Sequence, residues 1–169
     1  MNRVGVGFDM HRLVEGRPLV LGGVKFDYPL GLAGHSDADV LVHALIDAML
    51  GAAGLRDIGY HFPPGDDRYK GISSMDLLGQ VRDMLDRERW ILANADLVII
   101  AEDPALAPYI ETMRDKLAGA LSVSRGQISI KATTTEGLGP CGRKEGIAAQ
   151  AVVLLEKAAH TDPAGHEVK

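Results

Sequence analysis

Three side chains of the types that bind divalent cations stand out in the amino-acid sequence. Asp9 and His11 lie two residues apart, and His43 lies further along in a long apolar run. Side chains of an extended strand alternate in direction, so the Asp9 carboxylate and the His11 imidazole would share one face. Two imidazoles and one carboxylate are a common zinc ligand set with a fourth position open, and manganese or iron would also fit. A loop hydrogen bond is the alternative for Asp9 and His11 taken alone.

A second polar cluster lies at residues 133–136, whose sequence is Thr-Thr-Thr-Glu, with Lys131 and Arg143 nearby. Glu136 beside hydroxyls that bind phosphate could ligate magnesium, since hard cations prefer oxygen ligands. The glycine-containing loop at 30–36 leaves backbone N–H groups free for an anion. An ordinary strand end and an ordinary capped helix start are the alternatives for these two segments.

The sequence offers no convincing covalent nucleophile. Cys141 lies in a Gly/Pro turn without an obvious base nearby. The Gly-x-Ser-x-Gly elbow of hydrolases is absent from the sequence, and so are the P-loop and the dinucleotide-binding fingerprint. A metal site and anion-binding loops without a nucleophile favour electrostatic catalysis on a phosphate ester.

The long apolar run is predicted as a helix over residues 36–53. The Ser36 hydroxyl could cap the first N–H groups, and Asp37 and Asp39 suit the positive end of the helix dipole. Gly54 suits the C-terminal end, where a left-handed residue commonly stops a helix. This helix must therefore position whatever polar side chains it carries.

Three polar residues interrupt that helix, Asp39, His43 and Asp47, and their i, i+4, i+8 spacing puts them on one stripe. A helix that is apolar almost all around is buried, so these groups need partners or a metal. We interpret Asp39 or Asp47 as the groups that orient His43 beside a metal. A solvent-facing edge of an amphipathic helix is the alternative.

The remaining pattern predicts the sheet that carries these segments. Strands are predicted at residues 3–9, 90–101 and 128–132. Alanines blur the period of residues 147–155, for which a strand is favoured and a helix is the alternative. Gly22-Gly23 predicts the turn of a hairpin at 18–29, and residues 57–67 are too rich in Gly and Pro for regular structure. Further helices are predicted to begin at Ser73 or Ser74 and at Pro108. This order predicts an α+β fold, with a single mixed β-sheet and helices packed on one face.

Composition restricts the class of protein. The 169 residues are 46% hydrophobic with a formal net charge of −5, which suits a globular domain and argues against a nucleic-acid partner. We expect a single domain over residues 1–157 and a flexible tail at 158–169, in which His160 and His166 are exposed. One cysteine, no signal-peptide pattern and no apolar run of about 18 residues predict a cytoplasmic protein with no membrane contact.

Several motifs occur in the order that is typical of one family. They are Phe8-Asp9-Met10-His11, Leu21-Gly22-Gly23-Val24, Gly34-His35-Ser36-Asp37-Ala38-Asp39, Asp57-Ile58-Gly59, Lys131-Ala132-Thr133-Thr134-Thr135-Glu136 and Gly142-Arg143-Lys144-Glu145-Gly146. Together they resemble the 2-C-methyl-D-erythritol 2,4-cyclodiphosphate synthase family, and the resemblance extends over residues 3–157 with few gaps.

The resemblance implies a reaction of the non-mevalonate isoprenoid pathway. The family's substrate is 4-diphosphocytidyl-2-C-methyl-D-erythritol 2-phosphate, whose 2-phosphate attacks the β-phosphorus, closes 2-C-methyl-D-erythritol 2,4-cyclodiphosphate and releases CMP. The attacking group is already an anion, which agrees with the lack of a protein nucleophile. By resemblance, Asp9, His11 and His43 bind one Zn2+ per active site. Glu136 would contact Mg2+ or Mn2+ on the substrate diphosphate.

The resemblance also implies roles for further residues. His35 and Thr134 match positions that stabilise the transition state, and Ser36 matches a phosphate contact. Residues 57–59 match contacts to the methylerythritol unit, and 101–107 with 133–135 match the cytidine pocket. All positions implied to contact substrate are Asp9, His11, His35, Ser36, Asp57, Ile58, Gly59, Phe62, Asp66, Ala101, Glu102, Asp103, Pro104, Ala105, Leu106, Ala107, Thr133, Thr134, Thr135, Glu136 and Arg143.

Family members are homotrimers with their sheets toward the three-fold axis and active sites between subunits, and the resemblance implies the same assembly here. In some relatives an aromatic residue and the arginine matching Arg143 line a central cavity that can hold an isoprenoid diphosphate. Pro140 and Cys141 stand here where the aromatic residue is often found. Pro64 and Gly65 also depart from the Phe-Pro-Asp-Thr-Asp loop that is frequent in the family.

Two other functions remain as alternatives. A metal-dependent phosphodiesterase or pyrophosphatase would need a metal-bound hydroxide and a general base, for which His35 is the candidate. A non-catalytic trimer that binds nucleotides or isoprenoid diphosphates would be favoured by loss of the three metal ligands, all of which are present.

Overall fold

The computed structural model describes residues 1–158. Residues 159–169, which make up nearly all of the predicted tail and include His160 and His166, lie outside the described residues. The strands are β1 (Asn2–Glu15), β2 (Leu19–Leu21), β3 (Val24–Phe26), β4 (Leu30–Leu32), β5 (Trp90–Ile100), β6 (Ile128–Thr133) and β7 (Gly146–Lys157). The helices are α1 (Val40–Ala53), α2 (Ile58–His61), α3 (Ser74–Arg87), α4 (Ile110–Leu121) and α5 (Gly139–Gly142).

Five strands form one mixed sheet in the order β4-β1-β7-β5-β6. β5 and β6 run parallel, and the other neighbours run antiparallel. β2 and β3 form a separate hairpin, whose turn residues Gly22 and Gly23 have φ of 56° and 72°. The predicted α+β fold with a mixed sheet is confirmed, and the predicted hairpin is confirmed but stands apart from the main sheet.

Helix α1 crosses β1 in very close contact. A Cβ added to Gly5 or Gly7 would lie 2.0 Å from the carbonyl oxygen of Ala48 or Ala44, so only glycine permits this approach. Nearly all of α1 is buried within the single chain, between the sheet and α3. The glycines that alternate along β1 therefore face the helix and fix its distance from the strand.

The opposite face of the sheet is open and apolar. Val4, Val6 and Phe8 on β1 are 69%, 62% and 56% exposed, and Val152 on β7, the partner of Val6 in the sheet register, is 42% exposed. Helices α1, α3 and α4 pack against the other side. Exposed apolar side chains grouped on one face of a sheet are a common feature of interaction surfaces.

The start of α1 differs from the prediction. The helix begins at Val40, and its N-cap is Asp39, whose side chain accepts a hydrogen bond from the Val42 N–H. Ser36 does not cap the helix. Its Oγ lies in the preceding loop, where it accepts from the Ala38 N–H at 3.1 Å.

Asp39 caps two elements at once, which explains why the helix begins there. Its fully buried carboxylate also accepts from the N–H groups of Gly22 at 2.9 Å and Gly23 at 2.7 Å, in the hairpin turn. Burial is the dominant effect on this group and raises the pKa of Asp39 to about 6. The predicted end of the helix at Gly54, with φ of 76°, is confirmed.

The other predicted elements are present with shifted bounds. β1 continues to Glu15, and Pro108 lies in a 3-10 turn that precedes α4. Ser73 caps α3 through its side chain, as predicted. Residues 57–67, predicted to be irregular, contain the one-turn helix α2. Within residues 1–158, no helix is long and apolar enough to cross a membrane.

Candidate metal and phosphate site

Asp9, His11 and His43 converge on one point between β1 and α1. The Asp9 Oδ2 atom lies 2.8 Å from His11 Nε2 and 3.0 Å from His43 Nδ1, and the two ring nitrogens are 3.2 Å apart. β1 presents Asp9 and His11 on the face of the sheet that packs against α1, and α1 carries His43. The donor atoms lie within 4.8 Å of one another, which fits a single cation held by two imidazoles and one carboxylate.

Each imidazole is also held through its other ring nitrogen. The Nδ1 atom of His11 lies 2.6 Å from the carbonyl oxygen of Ala33, so Nδ1 carries a proton and Nε2, beside Asp9, is the nitrogen that can bind a cation when the ring is neutral. The Nε2 atom of His43 lies 2.9 Å from Ser74 Oγ and 3.2 Å from Ser36 Oγ. Contacts of this kind set the orientation of metal-binding histidines.

The predicted role of Asp39 or Asp47 in orienting His43 is wrong. Asp39 caps α1 and the hairpin turn, and the Asp47 Oδ1 accepts from the Ile58 N–H at 2.8 Å, at the start of α2. Burial raises the pKa of Asp47. The i, i+4 spacing does bring these carboxylates near His43, but unpaired backbone N–H groups from distant loops take both of them.

The charges of the cluster are mutually stabilising. Burial acts to raise the pKa of Asp9, but hydrogen bonds from His11 and His43 outweigh it and lower that pKa well below its ordinary value. The hydrogen bond to Asp9 in turn raises the pKa of His11 above its ordinary value of 6.5. A cation that binds here must therefore displace a proton that Asp9 helps to hold.

We expect zinc affinity to rise with pH through the raised pKa of His11. Below that pKa the metal-free site holds a proton that zinc must release, and above it no proton is displaced. At pH values below the pKa of His11, where zinc must displace this proton, the dissociation constant for zinc should fall about 10-fold for each unit that the pH rises. Chelator-competition titrations at several pH values measure this slope, and a dissociation constant that does not change with pH would contradict the assignment of His11 as a ligand.

The three residues open into a cavity of about 240 Å³. Six other residues singled out from the sequence line it: His35, Ser36, Asp47, Ile58, Gly59 and Phe62. Pro64, which departs from the family's loop sequence, also lines it, as do two residues that the sequence analysis did not single out, Tyr69 and Leu77. Space for a ligand therefore lies directly beside the candidate metal centre.

The loop that carries His35 and Ser36 is held from two sides. Arg17 donates to the carbonyl oxygens of Gly34 at 2.9 Å and Ser36 at 2.6 Å. From the other side, the Gly71 N–H donates to the His35 carbonyl at 2.8 Å. These bonds fix the backbone and leave both side chains at the cavity wall.

Two predicted substrate contacts, Asp57 and Asp66, do not line this cavity. The Asp57 carboxylate accepts from the Tyr60 N–H at 2.9 Å and caps α2. Asp66 pairs with Arg68 at 2.5 Å, and hydrogen bonds from Arg68 lower its pKa. Both carboxylates stabilise the loop beside the cavity in this structure.

A second cavity, of about 340 Å³, lies at the ends of the parallel strands β5 and β6. Most of the segment predicted to contact cytidine lines it, namely Ala101, Glu102, Pro104, Ala105, Leu106, Ala107, Thr133 and Thr134, together with Ala132. Asp103 is not among the lining residues, because its carboxylate pairs with Lys144. The ends of β5 and β6 and the turn after β5 thus form one wall of this second cavity.

Glu102 orders the loop that carries Thr134 and Glu136. Its Oε1 accepts from the N–H groups of Thr135 at 3.1 Å and Gly137 at 3.2 Å. Within the loop, the Thr134 hydroxyl donates to Glu136 Oε1 at 2.8 Å. The negative charge of Glu102 is therefore directed at backbone N–H groups of the loop.

The predicted cationic members of this cluster point elsewhere. Lys131 pairs with Asp96 at 2.5 Å on the open face of the sheet and lines a different cavity, so its assignment to the phosphate cluster is wrong. Arg143 pairs with Glu145 at 2.7 Å.

The two cavities share no lining residue within residues 1–158. One holds the candidate metal ligands with His35 and Ser36, and the other holds Thr134 and the predicted cytidine contacts. A single chain therefore presents two separate cavities rather than one joined pocket.

Sequence reasoning missed Ser74 and Tyr69. Ser74 is fully buried and contacts His43 from the first turn of α3. Tyr69 packs edge-on against Phe62 at the cavity, with ring centroids 5.3 Å apart. The adjacent serines 73 and 74 gave a signal, since only one of them is needed as the helix cap. Nothing local marked Tyr69.

Fold and site together define an α+β protein with a candidate metal centre at a cavity lined by His35 and Ser36. The sequence profile described as the YgbB family matches residues 2–156. A 2-C-methyl-D-erythritol 2,4-cyclodiphosphate synthase from Pelotomaculum thermopropionicum is 60% identical over 155 residues, which cover 92% of this chain and 96% of that protein. The chain belongs to the YgbB family, the family of 2-C-methyl-D-erythritol 2,4-cyclodiphosphate synthases.

Solved structures agree with this assignment. The bifunctional IspDF of Campylobacter jejuni matches with a TM-score of 0.90 and 43% identity over 94% of this chain, which spans 43% of that longer protein. The IspF of Plasmodium falciparum, solved as a CDP complex, matches with a TM-score of 0.81 and 32% identity over 93% of this chain and 97% of its own. The family predicted from the sequence motifs is confirmed.

Proposed function

We propose that this chain catalyses the cyclisation of 4-diphosphocytidyl-2-C-methyl-D-erythritol 2-phosphate to 2-C-methyl-D-erythritol 2,4-cyclodiphosphate, with release of CMP, in the non-mevalonate isoprenoid pathway. The observation that carries the proposal is the convergence of Asp9, His11 and His43 at a cavity lined by His35 and Ser36. The synthases that match nearly the whole chain support it, as does the CDP complex of one of them.

The reaction balances without water or a protein nucleophile. An oxygen of the 2-phosphate forms a bond to the β-phosphorus, and the bond from that phosphorus to the oxygen bridging to the α-phosphorus breaks. The bridging oxygen leaves with CMP and keeps the electron pair. The protein must bring two negatively charged phosphates together and hold them in line, which is the main requirement of phosphoryl transfer.

The donor set of Asp9, His11 and His43 supports one metal position, and the family resemblance supplies the second, at Glu136. Asp9, His11 and His43 would hold Zn2+, and Glu136 would contact Mg2+ or Mn2+ bound to the diphosphate. Bound cations would neutralise the charge that develops on the phosphoryl oxygens. The phosphates would be oriented by His35, Ser36 and the backbone at 34–36. From the cavity at the ends of β5 and β6, the Thr134 hydroxyl would donate to a phosphoryl oxygen.

We further infer a homotrimer in which each of the two cavities is a half-site. The metal cavity of one chain would adjoin the cavity at 101–107 of its neighbour. The metal cavity and the cavity at 101–107 are separate in one chain, and the open face around Val6 is apolar and uncovered. Sheets that face a three-fold axis would cover this surface. An isoprenoid diphosphate in the central cavity is the less supported partner, because Arg143 is paired with Glu145. A cytoplasmic location stays a prediction.

Phosphorus NMR of the reaction products tests the proposed activity. With the cytidyl diphosphate substrate and added Zn2+ and Mg2+, we expect two coupled resonances of a cyclic diphosphate together with CMP. An acyclic product with CMP would mean that water reached the β-phosphorus, as in a hydrolase. Absence of turnover in a preparation that still binds zinc and CMP would favour a binding protein and contradict the proposal.

A further inference from the structure

Asp37 and Ser74 hold His43 from the side opposite to Asp9. We propose that they act as positioning residues, which fix the His43 tautomer whose Nδ1 atom is free to bind a metal. The inference rests on the metal site proposed above and concerns residues outside its ligand set. Their role is to favour a proton on Nε2 of His43 in the metal-free protein.

The direction of the hydrogen bonds carries the inference. Ser74 donates its only hydroxyl proton to Asp37 Oδ1, and its backbone N–H donates to Asp37 Oδ2 at 3.0 Å. The Ser74 oxygen that lies 2.9 Å from His43 Nε2 can then only accept. Nε2 must therefore carry a proton, and in the neutral ring the Nδ1 atom beside Asp9 is the nitrogen left to bind a cation.

The other tautomer is a real competitor in this site. The Asp9 carboxylate lies 3.0 Å from Nδ1 and would accept a proton placed there. In that arrangement His43 Nε2 would accept from the Ser36 hydroxyl, 3.2 Å away. A proton on Nδ1 would block the lone pair that binds the cation. The competition between Asp9, which favours a proton on Nδ1, and the pair of Asp37 and Ser74, which favours one on Nε2, therefore sets the fraction of chains whose His43 can bind metal.

The fold keeps this pair in place. The Asp37 N–H donates to the Ile72 carbonyl at 3.0 Å, so the loop before α1 and the loop before α3 are joined by backbone bonds. Ser74 is fully buried in the first turn of α3. The same connection ties the His35 loop to α3, because Gly71 donates to the His35 carbonyl at 2.8 Å.

Ser74→Ala tests the inference, with Ser73→Ala as the matched control. Ser73 caps the same helix through the Met75 N–H but does not contact His43. Ser74→Ala removes the acceptor that Ser74 offers to His43 Nε2, together with the hydroxyl bond to Asp37. We expect zinc affinity to fall about 10-fold, the lower end of the range for outer partners of metal-bound histidines. Ser73→Ala should keep the zinc affinity of the parent chain. Chelator competition measures both.

Nitrogen-15 NMR of the metal-free protein gives a readout that does not depend on the metal. At about pH 8, where histidine is ordinarily neutral, the parent chain should show His43 protonated at Nε2. Ser74→Ala should shift population toward Nδ1, and the His43 signals are identified by their loss in His43→Ala. Asp37→Asn should act in the same direction, since both carboxylate oxygens accept hydrogen bonds and an amide would present N–H at one of them.

Three outcomes would overturn the inference. One is a Ser74→Ala protein with the zinc affinity and the tautomer of the parent chain. Another is an equal loss of affinity in Ser73→Ala, which would make helix stability the cause. The third is a parent chain with His43 protonated at Nδ1. If the parent chain binds no zinc, the proposed metal site fails, while the tautomer measurement still decides the role of Ser74.

Discussion

Replacing His43 by alanine should abolish zinc binding and turnover while the fold survives. His43 supplies one of three donor atoms, so its loss should weaken zinc binding by more than the about 10- to 100-fold typical of outer partners. The imidazole is buried, and its removal takes one polar partner from Ser74 and one from Asp9, a cost of about 1–3 kcal/mol. Metal analysis, product formation and thermal unfolding of the purified variant measure the three effects.

His61→Ala is the matched control for that experiment. His61 is a histidine near the same cavity, but its Nε2 bonds to the Leu55 carbonyl at 2.7 Å and it is not one of the candidate ligands. The control should keep its zinc. Full activity in a metal-free His43→Ala preparation would contradict the proposed mechanism.

A charge on the open face of the sheet should separate the proposed trimer and stop turnover without unfolding the chain. Val6 is 62% exposed in the single chain, so Val6→Asp costs little there, but in a trimer it would bury an unpaired carboxylate. We expect a monomer that still binds zinc. Its turnover should fall by at least about 100-fold, because the two half-sites are no longer held together.

Val6→Ala controls for the loss of the side chain itself. It shortens the apolar group without adding charge, and it should leave both assembly and most of the activity intact. Analytical ultracentrifugation measures the oligomeric state of both variants, and the product assay measures their turnover. A monomeric Val6→Asp protein with parent-level activity would show that one chain forms a complete site.

The pairing of Asp9 with His11 could be predicted because strand alternation is local. The presence of a helix that carries His43 could be predicted for the same reason, from its apolar run and Gly54. Its start could not, because Asp39 is selected as the cap partly by the N–H groups of the distant turn at Gly22 and Gly23. Long-range backbone partners leave no local periodicity in the sequence.

The partners of polar side chains were the least predictable part of the site. Spacing on α1 suggested Asp39 and Asp47 for His43, whereas the structure supplies Ser74 from another helix. Lys131 likewise faces Asp96 across the parallel strands β5 and β6. In both cases the partner depends on how separate elements dock, which single-sequence patterns do not encode.

The most direct test of the central claim is to mix two inactive chains. His43→Ala disables the metal half-site, and Glu136→Ala disables the half-site at the end of β6. If neighbouring chains build each site together, co-refolded random mixtures at equal ratio should recover about a quarter of the parent activity, since one site in four receives two intact halves. Mixtures as inactive as either variant alone would mean that each site lies within one chain.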